Sequence, residues 1–173
     1  MTRRRSLNTF LLAALAGLIH LAPVRAAEGP AAPSPANPRA IVAEDAVQAG
    51  FADTLKALKE QLAADGWNLV AEIDLGSRLA KKNVPLPGGL VILEMTSGGN
   101  TIPLLKNEET RYVSALMPCS VSVYGLADGR IMISRMNASA MAPMLDPRIA
   151  DALRKSSAQL DASIARVKAK LAP

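Results

Sequence analysis

Cys119 and the methionines around it carry the least ordinary chemistry in this 173-residue chain. Met117 and Cys119 are followed by Met132, Met136, Met141 and Met144. Thiol and thioether sulfurs are soft donors that suit Cu(I). Met132 and Met136 stand four residues apart in an extended segment, so they share a strand face. Cys119, Met117, Met132 and Met136 are therefore the candidate metal set, for Cu(I) or a haem-type group. The same residues also have a simpler structural reading. A free cysteine commonly packs as a small hydrophobe, and methionine fills core gaps in place of leucine.

Histidine narrows the field. The only one is His20, near the start of the chain. Beyond it, Ser-His-Asp and Cys-His catalysis, histidine-ligated zinc and histidine proton shuttles are excluded. A reactive Cys119 would need a nearby positive charge to lower its pKa, and Arg111 is the local candidate. Gly98-Gly99-Asn100 precedes a helical turn and could present backbone N–H groups to an anion. An ordinary loop that needs positive φ gives the same pattern. Cys119, Gly98, Gly99, Asn100 and Arg111 make up the candidate ligand set. Glu72 with Asp74, and Glu108 with Glu109, are acid pairs on faces that read as solvated. Without burial they lack the shifted pKa that acid-base catalysis requires.

These residues must be positioned by short elements. Residues 40–43 read as a strand. Phe51, Leu55, Leu58 and Leu62 recur at steps of four, three and four, a helix that Asp65-Gly66 ends. Trp67, Leu69, Ala71, Ile73 and Leu75 alternate with Asn68, Glu72 and Asp74 as a half-buried strand. A short helix is expected over 77–82 and a buried strand over 90–93. A loop should follow at 96–100, then a helical turn at 102–106 that continues loosely over 108–116. Residues 119–124 and 130–136 read as a hairpin around Asp128-Gly129. Asp146-Pro147 opens a last helix with an apolar stripe from Ile149 to Leu171. That order predicts an α+β fold: an antiparallel sheet of about four to five strands with helices packed on one face.

The first residues change the meaning of the charge. Arg3, Arg4 and Arg5, an apolar run from Phe10 to Ile19, and small residues around Ala26 have the layout of a cleavable signal peptide over 1–26. The run is too short to span a bilayer, so no stable membrane insertion is expected after cleavage. Four of the twenty basic residues lie there and no acid does, leaving sixteen basic against fifteen acidic. That balance argues against nucleic acid as a partner. Residues 27–39 form a Pro/Ala-rich linker, and 40–173 a single α+β domain. The expected location is periplasmic or secreted. One cysteine in an oxidising compartment is buried, paired across a dimer or bound to a ligand.

Several short motifs in order resemble the bacterial domain-of-unknown-function family numbered 302. They are Phe51-Ala-Asp-Thr-Leu55, Asp65-Gly66-Trp67, the strand from Leu69 to Ile73, and Leu116-Met117-Pro118-Cys119 before Val-x-Val-Tyr. Asp128-Gly129-Arg130 and Asn137-Ala138 complete the set. The resemblance spans residues 50–168 and implies a compact α+β domain that forms homodimers, with no established activity. Where many members carry Cys-Asn-Pro or Gly-Asn-Pro after the third strand, this chain has Thr96-Ser97-Gly98-Gly99-Asn100. A function resting on a cysteine there does not carry over. The expectation is an exported, non-catalytic binding or interaction module. Soft-metal or haem binding through Cys119 is the alternative, and a thiol-dependent enzyme a further one.

Overall fold

The structure, a computed structural model, describes residues 41–173. The expected signal peptide and linker lie outside the described residues. Five strands form one antiparallel sheet in the order β1-β5-β4-β3-β2. They are β1 Val42–Val47, β2 Asn68–Asp74, β3 Leu90–Thr96, β4 Cys119–Gly125 and β5 Ile131–Met136. The helices are α1 Phe51–Ala64, α2 Leu75–Ala80, α3 Gly98–Lys106, α4 Ala138–Met141 and α5 Pro147–Lys170. Short 3-10 helices cover Arg111–Leu116 and Ala142–Met144. Among the described residues, no helix is long and apolar enough to cross a membrane.

The α+β expectation holds, and strand alternation explains it. Val91, Leu93 and Met95 of β3, Val121 and Val123 of β4, and Ile131 and Ile133 of β5 all point to one side. They pack there with Leu58 and Leu62 of α1 and Leu160, Ile164 and Val167 of α5. Asp146 caps α5 by accepting the Arg148 N–H at 2.9 Å, and Pro147 sits in the first turn, where its missing donor costs nothing. Gly66, with φ of 79°, follows the Asp65 cap of α1 in the left-handed region. A second apolar cluster joins Leu104 of α3 and Val113 to Ile149 and Leu153 of α5.

Polar contacts tie α5 to the sheet and to α1. Arg135 on β5 is 11% exposed and bridges Asp45 of β1 at 2.7 Å and Asp161 of α5 at 2.6 Å. Asp65 accepts from Ser163 at 2.6 Å and pairs with Arg166 at 2.7 Å.

Three local expectations need correction. The first strand spans 42–47 rather than 40–43, because its hydrogen-bond partner β5 runs that far. The alternation in β2 breaks at a bulge between Leu69 and Ala71. Leu69 is 46% exposed and Val70 58%, on a strand that reads as half-buried by period alone. Gly98, Gly99 and Asn100 are not a loop: they form the first turn of α3, with right-handed backbone at both glycines.

Candidate functional site

Cys119 opens β4 on the helix-covered side, in phase with Val121 and Val123. Met95 of β3 is its cross-strand partner. Met95, Met117 and Cys119 line one void of about 20 Å³, closed by Leu104, Leu116 and Leu153. A second void of about 20 Å³ lies on another side of Cys119, lined by Trp67, Met136, Ser156 and Leu160. Each has the size of a single water or ion, far below that of a macrocycle. The indole Nε1–H of Trp67 is buried with no hydrogen-bond partner in the structure.

Burial pushes the Cys119 thiol pKa up, and the Glu94 carboxylate raises it further. Arg111, the expected activating charge, is turned elsewhere. Its Nε donates to the Leu105 carbonyl at 3.0 Å, and its guanidinium faces Glu108 at 4.0 Å. The thiol is therefore held in its protonated form, the reverse of what a cysteine nucleophile needs.

The expected metal set divides. Met117 and Met136 line the voids beside Cys119, but Met132 does not. Met132 pairs with Tyr124 near the opposite end of β5, on the face without α1 and α5. Period two does put Met132 and Met136 in phase; the position along the strand separates them from Cys119. Met95 and Trp67 were not among the sequence candidates. Their approach to Cys119 depends on the β3–β4 register and on how α5 crosses the sheet, and no local motif encodes either.

The expected ligand set also divides. Gly99 and Asn100 line a cavity of about 280 Å³ between α3 and α5, with Arg148 and Lys155. Both cations are engaged. Arg148 pairs with Asp146 at 3.1 Å and Glu109 at 3.0 Å, and Lys155 pairs with Asp151 at 2.8 Å. Asn100 also borders the void of Met95 and Cys119, and its amide donates to Gln159 at 3.3 Å. The acid pairs serve structure. Glu72 holds Lys59 at 2.9 Å, and Asp74 caps α2 by accepting the Ser77 N–H at 2.8 Å.

The side of the sheet away from α1 and α5 carries a groove of about 680 Å³. Ile92, Ser120, Ser122 and Ser134 form its floor, and Met117, Met136 and Met141 rim one end. Ile41 and Val42 close another edge at 48% and 40% exposed. Two carboxylates on this face are held by hydroxyls: Ser120 donates to Glu94 at 2.9 Å, and Tyr124 donates to Glu44.

The family model described as "Domain of unknown function DUF302" matches residues 44–170. The matched solved structures include the crystal structure of an uncharacterized conserved DUF302 protein from Bacillus stearothermophilus. It is 22% identical, with a TM-score of 0.66, and the match covers 73% of this chain and 98% of that chain. At that identity the likeness bears on the fold alone. No curated protein matches.

Proposed function

Because the chain belongs to the DUF302 family, a domain of unknown function, we propose its function from geometry: an exported, non-catalytic interaction module that pairs with a second copy through the sheet face opposite α1 and α5. The groove on that face carries the reading. A water-facing side of an antiparallel sheet ordinarily reads polar. Here Val42, Ile92, Met136 and Met141 surround a strip of three serines. A twofold axis normal to the face would set strip on strip and apolar ends on apolar ends, the self-complementary contact of an isologous dimer. A second copy is also the occupant that the family resemblance implies.

Export rests on the arginine-led leader of residues 1–26. The non-catalytic part rests on the raised Cys119 thiol and on carboxylates committed to caps and ion pairs. The further alternative, a thiol-dependent enzyme, lacks the activating charge that it needs.

Sedimentation of the protein recovered from the periplasmic or secreted fraction tests both halves. The expected mass is twice that of a chain beginning at Ala27. Ser122→Arg, at the centre of the face, should give single copies with unchanged circular dichroism. A wild-type monomer, a Ser122→Arg dimer, or intact Met1 on soluble cytosolic protein would overturn the corresponding half. A complex with a different protein in place of the dimer would leave the face but reject the occupant.

A further inference from the structure

We propose that Cys119, Met95 and Met117 bind one Cu(I) ion in the void that they share. This goes beyond the pairing of two copies: Cys119 and Met95 face the opposite side of the sheet, and Met117, at the end of the groove, also lines the void between them.

Cross-strand partners on one sheet face hold their Cβ atoms about 5 Å apart. Met95 and Cys119 are such partners, and both face the helices. Met117 enters the same void from the segment that leads into β4. Three sulfur-bearing residues thus line a space of about 20 Å³, enough for an ion but not for a hydrated one. The donor set selects the metal. Thioethers and a thiol favour Cu(I), whereas Ca(II) and Mg(II) demand oxygen ligands. One thiolate with neutral thioethers offsets a single positive charge, so the loaded site is neutral. A neutral site escapes most of the penalty for burying charge, and a divalent ion would not.

Trp67 supplies an independent observation. It is 5% exposed, its Nε1–H has no acceptor, and it lines the adjoining void on another side of Cys119. A buried donor without a partner is costly, and a neutral thiol is a weak acceptor. Loading breaks the Cys119 S–H bond, forms the Sγ–Cu(I) bond and sends the proton to solvent, with no change in oxidation state. The resulting thiolate sulfur is a far better acceptor than the thiol for a donor that lines the adjoining void, the kind of outer partner that stabilises a metal ligand.

The test is anaerobic titration of the reduced protein with Cu(I) held by a chromogenic chelator, followed by X-ray absorption of the loaded sample. One equivalent should bind with sulfur-only ligands. Cys119→Ser should abolish binding, and Met95→Leu and Met117→Leu should weaken it by about tenfold, the scale of losses at a metal's supporting groups. Met132→Leu should change nothing. Indole fluorescence should shift on loading and stay unchanged in Cys119→Ser. Failure of wild type to take copper from a weak chelator would overturn the site. So would nitrogen or oxygen ligands in the absorption spectrum, or full binding by folded Cys119→Ser. Because the readouts on wild type need no variant, misfolding of Cys119→Ser leaves the test intact. A monomer that binds copper would reject the pairing face and keep this site.

Discussion

The two faces of this sheet are built from alternate residues of the same strands, and they differ in kind. On the side of α1 and α5, Leu93, Val121, Val123 and Ile133 are completely buried. On the other side the intervening positions are Ile92, Ser120, Ser122, Tyr124 and Ser134, none of them buried. Burying a side chain such as leucine or valine contributes about 1.5–3 kcal/mol, so stability is concentrated on the first face. The second face bears mixed apolar and hydroxyl groups that add little to the fold of one copy. These strands therefore serve cohesion with their odd residues and leave their even ones unburied. Cys119 stands where that division ends, in phase with the packed face but beside unfilled space.

The largest expected effect breaks the comparison most directly. Leu93→Ala removes a fully buried side chain and should cost about 2–5 kcal/mol, read from urea denaturation. Ile92→Ala, the next residue and half-buried on the open face, should cost under about 1.5 kcal/mol in a single copy. Equal losses from the two would show that the faces do not divide the work.

A smaller effect concerns how the packed face is secured. Burial alone would raise the pKa of Asp65, but hydrogen bonds from Arg166, Ser163 and Gln61 outweigh it and lower the value from 3.8 to about 2. The folded state thus holds its proton less tightly than the unfolded one. The contribution is complete above the unfolded value and is lost as pH falls through about 2. Thermal melts between those values should show stability declining with acid. Asp65→Asn should be less stable at neutral pH and show a shallower acid decline. Asp45, also lowered, would contribute to the remainder with Asp74, Asp128, Asp146 and Asp151: at Asp45 burial opposes the shift and the Lys168 and Arg135 hydrogen bonds impose it. An unchanged slope in Asp65→Asn would remove this joint between α1 and α5 from the account of the packed face.

The legibility of these features follows how local their causes are. Helix α1 was readable from four apolar residues, and α5 from its Asp146-Pro147 start, because both signals lie within a few turns. The hairpin was readable because only a residue tolerant of positive φ suits Gly129, found at 87°. The bulge at Val70 was not, since alternation on either side of it looks continuous in the chain. Nor was the meeting of Met95 with Cys119, because register is a property of two strands separated by a helix and a 3-10 turn. For the same reason Met132 and Met136 looked equivalent. Phase assigned them a common face but said nothing of which end lay near Cys119.

The smallest expected effect is the sharpest probe of the open face. Ser122 lies on the central strand, between Ile92 of β3 and Ser134 of β5. In a single copy, Ser122→Val exchanges a hydroxyl for two methyl groups at a position that water can reach. The stability change at dilution should stay within about 0.5 kcal/mol, because surface substitutions away from special features rarely exceed that. In the paired state the same methyls would meet their counterparts across the axis, so the melting temperature should rise with protein concentration more steeply than in wild type. A shift that is independent of concentration would place Ser122 outside the contact. A large loss at dilution would mean that the hydroxyl supports the fold of a single copy. Either outcome would dissolve the contrast between a cohesive face and an associating one, even if Leu93→Ala behaved as expected.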